Sequence, residues 1–142
     1  HVTAQFNLGM MYDIGEKTAR DQVSAIKWYT LSAKQGNARA QHNLGNIYNN
    51  GSGVPKNYEI AFKWYSLAAE QGNAPSQANL GLMYAEGQGT KKDLNFAYMW
   101  WDIAASQGDE VAISNLKIFE SGMSSGELET AMMFSFDYQN VH

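Results

Sequence analysis

The chain has 142 residues, of which 44% are hydrophobic, 13% aromatic and 17% charged, enough apolar material for one compact domain or a short repeat array and too much for a disordered segment. Ten Lys and Arg against 14 Asp and Glu leave a formal charge of −4, so no basic field exists to gather phosphate backbones, and nucleic acid is not an expected partner. Cysteine is absent, which removes disulfides, thiolate metal sites and a cysteine nucleophile together.

Taken from its start, the chain first shows Ala4, Leu8 and Tyr12 four apart, on one face of a helix. Ala25, Trp28, Tyr29, Ser32 and Ala33 follow at offsets 0, 3, 4, 7 and 8, the stripe of a second helix. Asp21 stands where that helix would be N-capped, and Gly36 where a left-handed residue would end it. The pattern then recurs at an offset of 36 residues. Leu8-Gly9 becomes Leu44-Gly45 and Leu80-Gly81, and Trp28-Tyr29 becomes Trp64-Tyr65 and Trp100-Trp101.

The punctuation recurs with it. Asn57 and Asp93 precede the second helix of their units, Gly72 and Gly108 follow it, and Asn37, Asn73 and Asp109 are placed to cap the next first helix. Pro75 falls in a first helical turn, where its missing N–H costs little. A polar, glycine-bearing link such as Gly51-Ser52-Gly53-Val54-Pro55-Lys56 joins the two helices. A fourth unit is degenerate, with Leu116 in place but Lys117 and Glu120 where Gly and Tyr stood. In it, Ser124 and Glu127 form the expected capping box of a last helix carrying Ala131 and Phe134.

A single hairpin of this size exposes too much apolar surface, whereas stacked hairpins bury one another. The expected fold is therefore all-α, a right-handed αα superhelix or solenoid. It forms a single domain over 1–142 with repeats at 1–36, 37–72 and 73–108 and a degenerate capping repeat at 109–142. Gly9, Gly45 and Gly81 interrupt helix interiors at a cost of ~1 kcal/mol each relative to Ala, which predicts close approach of the backbone to a facing aromatic ring.

These residues resemble the Sel-one-like repeat family, relatives of the tetratricopeptide repeats. The resemblance rests on A-x-x-x-L-G-x-x-Y, G-x-G-V, A-x-x-W-Y and Q-G-[ND], nearly complete in 40–73 and present in most positions of 4–37 and 76–109. It implies a non-enzymatic scaffold that holds a partner protein or peptide against a curved inner surface. Cysteine-rich relatives bridge each helix pair with a disulfide, a feature this chain lacks.

One pattern is not required by core packing. Asn7, Asn43, Asn79 and Asn115 each stand immediately before the first-helix leucine. In similar tetratricopeptide domains an Asn at that position pairs with the backbone of an extended peptide, a task suited to an amide because it donates and accepts without carrying charge. The alternative is that these amides bond a neighbouring helix. Phe6 with Met10, His42 with Asn46, and Ala78 with Leu82 lie one turn either side, so the expected groove is apolar at one end and polar in its middle. No Lys or Arg occupies these positions, which favours an internal segment or helix over a free C-terminus.

Chemistry finds little support. His1, His42 and His142 show no metal-ligand spacing, and a Ser-His-Asp arrangement would depend on His42 alone. No cofactor is expected. No window approaches 18 apolar residues, so membrane insertion is not expected either. The opening His1-Val2-Thr3 is expected of a soluble piece of a longer precursor with its front removed, which would suit a periplasmic or secreted protein. The rival readings are a cell-wall-active hydrolase with His42 as base, and a structural module that self-associates through its N-terminal edge and the apolar tail of Met132, Met133, Phe134 and Phe136.

Overall fold

A computed structural model of the chain describes residues 2–14 and 19–141, the side chains of 11–14 and 19–21 excepted. Gly15, both terminal histidines and the side chains of Tyr12 and Asp21 lie outside what is described. Those residues form eight helices and no strand: α1 (Val2–Ile14), α2 (Ala19–Lys34), α3 (Ala38–Asn50), α4 (Tyr58–Glu70), α5 (Ala74–Glu86), α6 (Leu94–Ser106), α7 (Glu110–Gly122) and α8 (Ser125–Val141). The chain divides into two compact units, His1–Asn73 and Ala74–His142.

Local chemistry sets most of the helix ends. Asn37, Asn57 and Asp109 each accept from the backbone N–H three residues on, and Asp93 accepts from Asn95 and Phe96, as the N-cap reading required. The exception is α2, which opens at Ala19, ahead of Asp21, so that residue lies within the helix and not before it. At the other end of α4, Gly72 adopts φ +92°. Its N–H donates to the Ala69 carbonyl and that of Asn73 to Ala68. This is a Schellman closure, and only glycine takes the required backbone without strain. The same pair of bonds closes α2 and α6, so the residue that ends one helix also stands before the next.

In the first unit α1 pairs with α2, α2 with α3, and α3 with α4. Its core holds Phe6, Ala25, Tyr29, Ala40, Leu44 and Ile47. Of each aromatic pair here only the second member is sealed. Tyr29 and Tyr65 are fully buried, whereas Trp28 and Trp64 are half-buried. The first-helix glycines make that sealing possible: a Cβ on Gly9 would stand 2.6 Å from the Tyr29 ring, and one on Gly45 2.5 Å from that of Tyr65. Ala40 and Leu44 are completely enclosed, but Ala4 is exposed and Leu8 half-buried.

The second unit repeats this plan in α5 and α6. A Cβ on Gly81 would meet the Trp101 indole at 2.5 Å, and both tryptophans of the pair are buried here. Beyond α6 the plan changes. Both α7 and α8 dock on α6. Ser124 and Glu127 exchange reciprocal backbone-to-side-chain bonds of 3.2 Å, the expected capping box, and open α8. Ser135 occupies the place of the second aromatic, is buried, and donates to Asp102 at 2.8 Å. Phe134 and Tyr138 pack edge-on against Phe96, which stacks on Tyr84. Phe134 is thus half-buried against α6, unlike its exposed neighbours Met132, Met133 and Phe136 in the proposed tail.

An amide ladder ties the helices of each hairpin. The Nε2 groups of Gln35, Gln71 and Gln107 donate to the Oε1 atoms of Gln5, Gln41 and Gln77, each at 2.8 Å. Gln41 also donates to the Ala33 carbonyl at 3.1 Å, linking α3 to α2.

Candidate functional site

In the first unit, Leu44 points into the core and the residue before it lies about 100° round the helix, so Asn43 sits at the margin of the packed face, half-buried. Asn7, before Leu8, is exposed. Met10 is half-buried and leans on the core. Phe6 departs from the expectation of an open apolar anchor. It is 3% exposed, with its ring 5.9 Å from that of Tyr29 and the Arg39 guanidinium 4.6 Å above it. Helices α2 and α3 close over it, so it belongs to the core.

The equivalent positions of the second repeat hold a polar cluster. The Tyr65 hydroxyl donates to Asn46 Oδ1 at 2.5 Å, and Asn46 Nδ2 lies 3.2 Å from His42 Nε2. With Nδ2 as donor, Nε2 must be an unprotonated acceptor, which assigns the imidazole proton to Nδ1. Burial agrees, because removal from water holds the His42 pKa below the ordinary imidazole value. The rings of His42 and Tyr65 lie 5.7 Å apart. His42 and Asn46 are therefore brought together, as their spacing of one turn required, and share a hydrogen-bond chain with Tyr65 that the sequence did not announce.

In the second unit Asn79 is half-buried before the buried Leu80, and Asn115 half-buried before a half-buried Leu116. Leu82 is 40% exposed. Ala78 is buried, and its carbonyl accepts the Trp101 indole N–H at 3.1 Å. Asn43, Asn79 and Asn115 are thus all half-buried, at the margin of the packed face of their helices. Each carries an amide donor pair and an acceptor at a half-buried edge of its helix. No three His, Asp or Glu side chains converge on a space for a metal among the described residues.

Comparison with known proteins now has a geometry to rest on. The Sel1 repeat matches residues 2–37, 38–73 and 74–109. The chain belongs to the Sel1 repeat family. The protective antigen c5321 of uropathogenic Escherichia coli, which displays an SLR fold, superposes at a TM-score of 0.88 with 33% identity, over 97% of this chain and 30% of that one. A Sel1 repeat protein of Oxalobacter formigenes superposes at 0.73 with 39% identity, over 82% of this chain and 47% of its own. The chain thus spans less than half the length of either. Cysteine-rich protein B of Helicobacter pylori, at 20% identity and a TM-score of 0.63 over 81% of this chain and 91% of that one, shares the fold alone. No curated protein sequence matches the chain.

With this family the chain shares the αα-hairpin solenoid fold, and Sel1 repeats generally serve as protein–protein interaction scaffolds. Among the described residues no helix is long and apolar enough to cross a membrane.

Proposed function

We propose that this chain is a non-enzymatic scaffold whose first helices, α1, α3, α5 and α7, carry the partner-facing surface, with Asn7, Asn43, Asn79 and Asn115 as its polar contacts. The observation that carries the reading is the amide one residue before each first-helix leucine, exposed at Asn7 and half-buried at Asn43, Asn79 and Asn115. An amide pairs with a peptide unit without the desolvation cost of a charge. Met10 and Leu82 supply apolar contact beside it, and His42 with Asn46 supply a polar stretch whose donors and acceptors are already oriented by Tyr65. Phe6 is left out, because it is buried. Preformed polar groups of this kind limit the ordering cost of binding, and the segment they suit is an internal stretch of a partner protein.

The test is affinity capture with the intact chain beside the double variant Asn43→Ala/Asn79→Ala. Loss of the captured protein with unchanged melting supports the assignment. The same protein retained by both chains refutes it.

A further inference from the structure

Helix α8 has two unlike faces. One is seated on α6 through Ala131, Ser135 and the Phe134–Phe96 ring contact. The other presents Leu128, Met132, Met133 and Phe136 at helical spacing beside an open hollow of about 610 Å³, with Glu129 and Asp137 in its lining. Met132 is 51% exposed, Met133 59% and Phe136 68%. Side chains this apolar and this open, set three and four residues apart along a helix, form a docking stripe and not a solvated face.

Charge says what fits it. Residues 109–142 carry six of the 14 acidic side chains and only Lys117 of the ten basic ones, and α8 itself has no Lys or Arg. Two copies of α8 laid face to face would set Glu129 and Asp137 of each against the other, a like-charge contact that disfavours self-pairing. An anionic lipid surface is repelled by the same carboxylates. A cationic helix is attracted, and its apolar side chains would meet two methionines whose flexible thioethers adapt to varied shapes.

We propose that the outer face of α8 is a second docking surface, separate from the asparagine-bearing helices, and that it takes a basic amphipathic helix of a partner protein. From Leu128 to Phe136 the stripe runs roughly 12 Å at 1.5 Å per residue. The complementary segment has apolar residues at i, i+3, i+4 and i+7 with Lys or Arg on the flanks.

A fluorescein-labelled 14-residue Leu/Lys amphipathic peptide provides the probe, with a Leu/Glu twin and a scrambled Leu/Lys isomer as controls, read by anisotropy on the full chain. The amphipathic cationic peptide is expected to bind at least tenfold more tightly than either control. Met132→Ser/Phe136→Ser and Glu129→Lys/Asp137→Lys should each weaken it at least tenfold while circular dichroism stays unchanged, because all four side chains are exposed. Asn43→Ala/Asn79→Ala should leave it unaltered. Equal binding of the scrambled peptide, indifference to Phe136→Ser, or loss through the asparagine variant would overturn the proposal. So would a dimer in sedimentation that Met132→Ser/Phe136→Ser dissociates, or Phe136-dependent binding to phosphatidylglycerol vesicles.

Discussion

At Gly45 a single methyl group decides whether the hairpin closes. Its Cβ would lie 2.5 Å from two carbons of the Tyr65 ring, itself fully buried, so the ring or the helix would have to move. Overpacking of this kind costs about 1–3 kcal/mol, and Gly45→Ala is expected to lower the melting temperature by roughly 3–10 °C in a thermal scan. Gly126 in α8 has nothing within 4 Å of the same atom. Gly126→Ala should therefore be neutral or raise stability by up to ~1 kcal/mol. Gly9, Gly45 and Gly81 recur in helix interiors, which by itself signals a close approach, and each backbone does face an aromatic ring of the next helix. His42 supports a prediction of another sort. Its pKa is lower in the folded chain than in the unfolded one because burial disfavours the imidazolium. The neutral form's contribution is complete above the unfolded value near pH 6.5 and is lost as pH falls from there through the folded pKa. Melting temperatures measured between pH 7 and pH 5 should fall less steeply in His42→Gln than in the parent chain.

At the scale of the helices, stability is concentrated at ends and rungs. The Asp93 carboxylate holds two first-turn N–H groups of α6 at 3.0 Å, and Asp93→Ala should cost about 1 kcal/mol in chemical denaturation. The amide ladder has unequal rungs. Gln41 is buried, accepting from Gln71 while donating to Ala33. Gln41→Leu removes the side-chain bond to that carbonyl, which keeps the Gly36 N–H, and takes the acceptor from Gln71, so it should cost about 0.5–1.5 kcal/mol. Gln35 is exposed, and Gln35→Leu should change stability by no more than about 0.5 kcal/mol in the same assay. Gln35, Gln71 and Gln107 were readable as helix-end punctuation. Their partners Gln5, Gln41 and Gln77 were not, because a rung joins residues 30 apart and no local period connects them. The signal was present in the repeat offset, which places a glutamine at all three positions.

At the scale of the molecule, α8 determines how the second unit ends. It buries Ala131 and Ser135, covers Phe96 with two aromatic rings, and holds Asp102 through Ser135 and Gln139. Truncation after Gly122 would uncover Phe96 and is expected to lower the melting temperature and raise binding of an apolar dye, both measured against the intact chain. The helices, most of their caps and the glycine contacts followed from the sequence alone. Each depends on residues within one or two turns, or on a repeat that copies the same local solution at intervals of 36. Other features depended on what lay across from them. Phe6 is buried because α2 and α3 close over it, Asn46 is engaged because Tyr65 reaches it, and α8 rests on α6 with its methionines outward. Burial is decided by side chains distant in the chain, and no periodicity within one helix records which of its faces a neighbour will cover.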